Sequence, residues 1–124
     1  MSLENIEAWL YNQIKAIPEF ANIDVFFKTD EAYKNIQQNK DVVLITTISD
    51  KIRADRVRLT YFQIDILSPS MQKVIELANK LVETWSFKNT NWAYIKIESN
   101  EDFTSLWDFP RRLLRIEVIK KITY

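Results

Sequence analysis

Four acidic residues near the end of the chain are the side chains whose type and spacing come nearest to a reaction centre. Glu98, Glu101, Asp102 and Asp108 lie in one short stretch, and paired carboxylates are the usual acid–base device where no imidazole is present. The same acids could hold Ca²⁺ or Mg²⁺, but the stretch lacks the glycine-containing spacing of a calcium loop. Such runs are most often solvated surface. The sequence therefore predicts neither a catalytic pair nor a metal site here.

The residue types that are missing exclude most other chemistry. The chain contains no His and no Cys, which removes Ser-His-Asp triads, Cys-His pairs and most transition-metal sites. It also contains no Gly, and phosphate-binding loops need glycine where the backbone approaches the phosphate closely. We therefore expect a protein that is not an enzyme and binds no cofactor.

Length and composition predict one self-sufficient domain, residues 1–124, with 47% hydrophobic residues to form its core. Basic and acidic residues both number 17, so no long-range field attracts nucleic acid or anionic lipid. No segment reaches the roughly 18 apolar residues of a membrane span, and the N-terminus carries acids where a secretory signal would carry bases. These features predict a soluble domain that is not exported.

Two segments have the apolar period of a helix. The first has its apolar positions at Leu3, Ile6, Leu10, Ile14 and Ile17. Ser2 would cap its start, and Pro18 would end it. Ser68 and Pro69 predict the start of the second helix, with Pro69 at its first position. Its apolar positions are Met71, Val74, Ile75, Ala78, Leu81, Val82 and Trp85. Core packing explains this stripe better than partner binding does.

Five segments favour β-strands because they are rich in β-branched residues or alternate in polarity. They are residues 22–28, 41–48, 56–67, 92–98 and 111–122. A charged connection, 49–56, separates the second strand from the third, and 29–40 stays unassigned between a loop and a short helix. With short connections, the pattern predicts an α+β fold: a mainly antiparallel sheet of about five strands with both helices packed on one face.

The third predicted strand changes the face on which its apolar residues lie. Val57, Leu59 and Tyr61 share one parity, whereas the later apolar residues, Phe62 and Ile64 among them, share the other. An extra residue near Tyr61, as in a β-bulge, would reconcile the two halves. A strand passing from a solvated to a doubly covered region would give the same pattern. We adopt the bulge as our interpretation.

Charged and aromatic residues near two connections are the candidates for an interface. Basic residues lie beside the 49–56 connection and along the last strand, but interleaved acids favour edge protection or salt bridges between subunits over DNA binding. Aromatic and Arg residues are enriched at interface centres, and a predicted turn combines both. The predicted interface residues are Lys51, Arg53, Asp55, Arg56, Arg58, Trp107, Asp108, Phe109, Arg111 and Arg112.

From residue 41 to residue 122 the chain resembles the tail-completion or tail-terminator proteins of long-tailed phages. The similar segments read RVRLTYFQIDILSPSMQKVIELANKLVETW, WAYIKIESNEDF and SLWDFPRRLLRIEVI. In that family a strand ending in Asp leads to a Ser-Pro type helix start, a helix of Ala and Leu, a strand, an acidic turn, and a last strand after an aromatic-Arg pair. These places fall here at 63–65, 68–70, 75–81, 95–102 and 107–112. The chain departs from the family in having no loop glycine.

The resemblance implies a ring, commonly a hexamer, that caps the finished tail tube, stops its growth and joins it to the head connector. The partners would be further copies of this chain, the tail tube protein and the head-connector protein. DNA would at most pass through the ring, and no membrane would be involved. The protein would lie in the host cytoplasm during assembly and then in the virion tail. The 49–56 connection would line the lumen or meet the tube, and LWDFPRR would meet a neighbouring subunit.

Two other roles remain open. A head-completion or neck protein of the same particle would also be small and ring-forming. A ligand-sensing α+β regulatory module belongs to another class, and it requires a pocket with convergent polar groups. A ligand-induced rise in melting temperature would favour that module, because a ligand bound only by the folded state stabilises it.

Overall fold

The structure is a computed structural model that describes residues 5–27, 32, 34, 38–53, 56–85, 88–89, 93–102 and 110–121. These residues form helices α1 (Ile6–Lys15) and α2 (Met71–Trp85) and a short 3-10 helix at Pro18–Phe20. They also form the strands β1 (Asp24–Phe26), β2 (Val42–Arg53), β3 (Val57–Leu67), β4 (Lys88–Asn89), β5 (Tyr94–Asp102) and β6 (Arg111–Lys121).

The strands form one sheet in the order β1-β2-β3-β6-β5-β4. β1 runs parallel to β2, and every other neighbouring pair is antiparallel. Five of these strands have three residues or more, and β4 adds a pair of residues. The predicted α+β fold, with a mainly antiparallel sheet of about five strands, is confirmed.

The main core lies between the two helices and one face of the sheet, as predicted. Leu10 of α1 and Leu81 of α2 belong to the same buried cluster as Ile64 and Ile116 of the central strands. Trp85, at the end of α2, is among the largest fully buried side chains. Burying a side chain of this kind contributes on the order of 2 kcal/mol. This shared cluster holds both helices against the same face of the sheet.

Both helices begin later than the sequence predicts. Asn5 caps α1, its Oδ1 accepting a hydrogen bond from the backbone N–H of Ala8 at 3.1 Å, so Ser2 as the cap was wrong. Ser70 caps α2, its Oγ accepting from the N–H of Lys73 at 3.3 Å. Pro69 therefore precedes the helix and does not occupy its first position. A nearby Asn or Ser can replace an earlier cap because each offers the same acceptor to the free N–H groups.

The buried face of α2 is rotated from the predicted stripe. Leu77, absent from that stripe, is buried beside Val74 and Ala78. Met71 and Ile75, predicted to lie in the core, are 41% and 39% exposed. The apolar stripe is wider than the area of sheet beneath the helix, so tertiary packing decides which of its residues reach the core.

The hairpin of β2 and β3 differs from the prediction in two ways. β2 continues as a strand to Arg53, so most of the predicted 49–56 connection is strand. β3 pairs with β6 in one unbroken register, so the expected bulge in β3 was wrong. The register shift lies in β2 instead, between Thr47 and Ser49. The change of face along β3 therefore reflects a change in burial, because the strand is half-buried at its start and buried on both faces at its end.

The bounds of two other strands differ less from the predicted ones. β5 extends through Asp102, beyond the predicted strand end at residue 98, and β1 is confined to Asp24–Phe26. Most of the unassigned stretch 29–40 lies outside the described residues. Within the described part, the residue with a positive φ is Asn39, at 59°. Asn tolerates this left-handed conformation better than other residues with a side chain, which suits a chain that has no glycine.

A buried ion pair joins the ends of the two central strands. Asp65 of β3 and Arg111 of β6 approach to 2.6 Å between Oδ1 and Nη2, and Arg111 Nε donates to the same oxygen at 2.8 Å. Gln63 Nε2 donates to the other carboxylate oxygen at 3.2 Å. Both charged residues are buried. Removing one partner of such a pair leaves the other charge buried without a counter-charge.

We predict that Asp65→Ala destabilises the fold by about 3 kcal/mol, because Arg111 keeps its charge and loses its buried partner. Urea unfolding followed by circular dichroism measures this loss. The double variant Asp65→Leu with Arg111→Met should recover most of it, since it removes both charges. Asp24→Ala, at an exposed aspartate, should change stability by less than about 0.5 kcal/mol. Equal midpoints for Asp65→Ala and Asp24→Ala would contradict the role given to the pair.

Candidate assembly interface

The outer end of the β2–β3 hairpin is the candidate functional site of this protein. The first four residues of β2, Val42 to Ile45, are buried, whereas those from Thr46 onward are mostly exposed. β3 shows the same division, since its buried half begins near Phe62. We call residues 46–60 the distal hairpin. The main core covers the other end of these strands, so the distal hairpin has most of its surface available for contact.

Two isoleucines give the distal hairpin an apolar surface. Ile48, at the register shift, is 52% exposed, and Ile52, near the turn, is 50% exposed. Isolated exposed apolar residues are common on protein surfaces. Here the two lie four positions apart on an outer strand of the hairpin, beside charged residues. Apolar residues with a polar rim are the arrangement expected of a contact surface.

Two basic residues flank Ile52. Lys51 and Arg53 of β2 are exposed, as is Arg56 of the turn, and their predicted role in an interface stays a prediction. The turn is closed by a hydrogen bond of 3.1 Å from the N–H of Arg56 to the carbonyl of Arg53. The structure thus brings three of the predicted interface residues together at one end of the sheet. Asp55, predicted with them, lies outside the described residues.

An internal polar network stiffens the base of the distal hairpin. Arg58 holds Asp50 with two hydrogen bonds, from Nε at 2.9 Å and from Nη2 at 2.6 Å. Thr60, which pairs with Asp50 across the hairpin, donates to the same carboxylate at 3.0 Å. Arg58 therefore has an internal partner, and its predicted contact with another subunit stays a prediction. The network also explains why an aspartate interrupts this basic stretch.

The same contacts shift the pKa values of both charged groups. Hydrogen bonding from Arg58 lowers the pKa of Asp50 below its ordinary value of 3.8, although desolvation opposes this. The Asp50 carboxylate in turn raises the pKa of Arg58. Beside them, a hydrogen bond to Glu117 raises the pKa of Tyr61. All three shifts follow from contacts within the chain.

A cavity of about 200 Å³ lies between this network and the start of α1. It is smaller than the roughly 300–1,000 Å³ of typical small-molecule sites. Its polar groups already bond one another: Asp50 binds Arg58 and Thr60, and Thr47 Oγ1 donates to Glu7 at 3.2 Å. The cavity therefore gives little support to the ligand-sensing role, which requires polar groups that converge on a ligand.

The predicted interface residues of the last strand are placed differently from those of the hairpin. Arg111 is buried in its ion pair with Asp65. Arg112 is partly exposed, and its Nε donates to Asn100 Oδ1 of β5 at 2.9 Å. The aromatic residues Trp107 and Phe109, with Asp108 between them, lie outside the described residues. The interface prediction for this segment stays a prediction, and Arg111 in particular already has a partner within the chain.

The acidic residues first considered for chemistry lie along an outer strand. Glu98 and Glu101 are exposed on β5, next to Asp102 at its end. Lys96 Nζ lies 3.5 Å from Glu98 Oε1 in an exposed ion pair. Within the described residues, no group of three or more acidic side chains is arranged to hold a metal ion. Sequence reasoning did not single out Ile48, Ile52 or this acidic strand as candidate contact surfaces, because their exposure depends on which strands border the sheet.

No protein-family model matches the chain, and no curated protein matches its sequence. Among the described residues, neither α1 nor α2 has the length and hydropathy that a membrane-crossing helix requires. The case for a function therefore rests on the surface described above.

We predict that the Asp50–Arg58 pair contributes to stability only while Asp50 is charged. Because its folded-state pKa is lowered, this contribution is present above the unfolded-state pKa and disappears as the pH falls through the folded-state value. Asp50→Asn should lower the melting temperature at neutral pH, at a cost of at most about 1 kcal/mol because the pair is partly exposed. At a pH below the folded-state pKa of Asp50, the two proteins should melt together. A constant difference at both pH values would contradict this assignment.

Proposed function

We propose that this protein is a structural subunit that assembles with copies of itself into a ring, and that the ring ends a phage tail tube and joins it to the head connector. The observation that carries the proposal is the distal hairpin, where Ile48 and Ile52 are about half exposed beside Lys51 and Arg53. The phage role comes from the resemblance of residues 41–122 to tail-terminator proteins.

The surface suits assembly better than catalysis. Removing Ile48 and Ile52 from water would favour association, at about 25 cal/mol for each Å² of apolar surface buried. Two polar groups of the same hairpin, Asp50 and Arg58, are engaged with each other. A hairpin held rigid by such a pair loses little entropy when it docks, which favours binding. The chain also lacks His, Cys and Gly, on which most catalytic and phosphate sites depend.

A ring follows if the contact joins two different surfaces of the subunit. Contacts of this kind close into a ring when a whole number of rotations from one neighbour to the next makes one full turn. Otherwise they build open filaments. With a formal net charge of zero, the subunits do not repel one another strongly at long range. In such a ring the turn of the distal hairpin, with exposed Arg56, would border the lumen or meet the tail tube. DNA in transit would then pass near it.

We predict that the wild-type chain sediments as a closed ring and that the double variant Ile48→Thr with Ile52→Thr sediments as a monomer. Threonine keeps the β-branched shape that suits a strand but removes apolar surface from the contact. Analytical ultracentrifugation measures the species, and circular dichroism checks that the variant is folded. The matched control is Met71→Gln with Ile75→Gln on α2, which removes a similarly exposed apolar pair. The control should form rings like the wild type, and rings that persist in the folded hairpin variant would contradict the proposal.

The partner distinguishes the tail role from the neck role. Purified protein mixed with tail tubes should form a ring at the end of each tube, visible by negative-stain electron microscopy. Binding to connector-bearing heads in the absence of tails would instead support the head-completion or neck role. A monomer at the highest soluble concentration that binds neither particle would overturn both.

A further inference from the structure

The sheet has two outer strands with long stretches that pair with no described strand. β1 pairs with β2 only at Val42–Leu44, so β2 has no described neighbour on that side beyond this point. At the other side, β4 pairs with β5 only at Tyr94 and Ile95. We call residues 46–53 the β2 edge and residues 96–102 the β5 edge. Unpaired N–H and C=O groups along such edges are ready to pair with another strand.

The directions of the strands make the two edges compatible with each other. β2 is antiparallel to β3, β3 to β6, and β6 to β5, so β5 runs opposite to β2. A second copy related by rotation about an axis along the strands keeps these directions. Its β5 edge then meets the β2 edge of the first copy as an antiparallel pair. The contact would continue the sheet from one subunit to the next.

The positions of the two edges imply a stagger. The residue pairs can be followed across the sheet from β2 through β3 and β6 to β5. They place Ser49 of β2 in the same row as Lys96 of β5. From that row β2 continues to Arg53, whereas β5 continues the other way to Asp102. A displacement of the neighbour along the strands by about six residues brings Glu101 opposite Lys51 and Glu98 beside Arg53, and closing a sheet into a barrel requires a stagger of this kind. The displacement moves the acids of β5 towards Lys51.

The charges of the edges are complementary. The β2 edge carries Lys51 and Arg53, both exposed, and its aspartate, Asp50, is engaged by Arg58. The β5 edge carries the exposed acids Glu98, Glu101 and Asp102 and one exposed base, Lys96, so its charge is negative on balance. Opposite charges across a strand pair stabilise it and like charges destabilise it. Contact between two β2 edges or between two β5 edges is therefore disfavoured. Contact between a β2 edge and a β5 edge is favoured. The exposed Lys96–Glu98 pair is worth little and does not prevent it.

We propose that the β2 edge of one copy pairs antiparallel with the β5 edge of the next copy, through Lys51 and Arg53 against Glu98 and Glu101. This inference rests on the proposed ring and names the contact that builds it. The partner is a second copy of this chain because both halves of the contact are on one subunit. Each subunit offers one edge of each kind, so the contact propagates head to tail and can close into a ring.

A charge swap between two variants tests this contact. One variant is Lys51→Glu with Arg53→Glu, and the other is Glu98→Lys with Glu101→Lys. Each variant alone carries like charges on both edges and should sediment as a monomer. An equal mixture should assemble, because each reversed edge then meets an edge of opposite charge, and its rings should alternate the two variants. A chain with all four substitutions should also assemble alone. Circular dichroism checks the folding of every variant.

Glu76→Lys with Glu83→Lys on α2 is the matched control, since it changes net charge as the second variant does at exposed positions away from both edges. This control should assemble like the wild type. If the charge-swap variants each form rings alone, or if their mixture stays monomeric, the proposed contact is wrong. Rings that persist in those variants but are lost in Ile48→Thr with Ile52→Thr would leave the proposed function standing. A wild-type chain that stays monomeric at the highest soluble concentration and does not bind tail tubes would overturn both.

Discussion

The pairing of β3 with β6 is the constraint on which the rest of the structure depends. The two strands pair along their whole length, from Val57 with Lys121 to Leu67 with Arg111. A slip of one residue would turn Phe62 and its neighbours from the core to the opposite face. The buried ion pair of Asp65 and Arg111 opposes such a slip, because it forms only in this register. Helices, outer strands and the distal hairpin are all positioned relative to these two strands.

In the described part of the chain, the same pairing leaves one end of the sheet outside the main core. The main core reaches α1 and α2 from the inner halves of the central strands, whereas β2 and β3 continue beyond it. A small domain gains stability mainly by burying apolar surface, and the distal hairpin adds little to that core. Ile48 and Ile52 remain exposed, although buried isoleucines form much of the rest of the sheet. This division between a covered end and an exposed end is the physical basis for the proposal that the protein acts in assembly.

Charged groups take two different roles in the described part of the chain. The buried pair of Asp65 with Arg111 and the partly exposed pair of Asp50 with Arg58 are close hydrogen-bonded contacts within the subunit that support strand register and hairpin geometry. Along the outer strands, Lys51 and Glu98 are exposed and of opposite sign. The pairs within the subunit give it a defined shape. The exposed charges make one edge of the sheet positive and the other negative. A rigid subunit with two unlike edges has what a closed assembly requires.

The sequence by itself determined the fold class, the order of the elements and the absence of histidine and cysteine chemistry. These follow from local periodicity and composition, which need no knowledge of what lies opposite each residue. Only the tertiary structure decided that Leu77 is buried and Ile75 exposed, that the register shift lies in β2, and that Arg111 belongs to a buried pair. Exposure depends on neighbours distant in sequence, and so do the borders of the sheet. The exposed edges, and with them the candidate interface, are therefore products of strand order, which no local pattern contains.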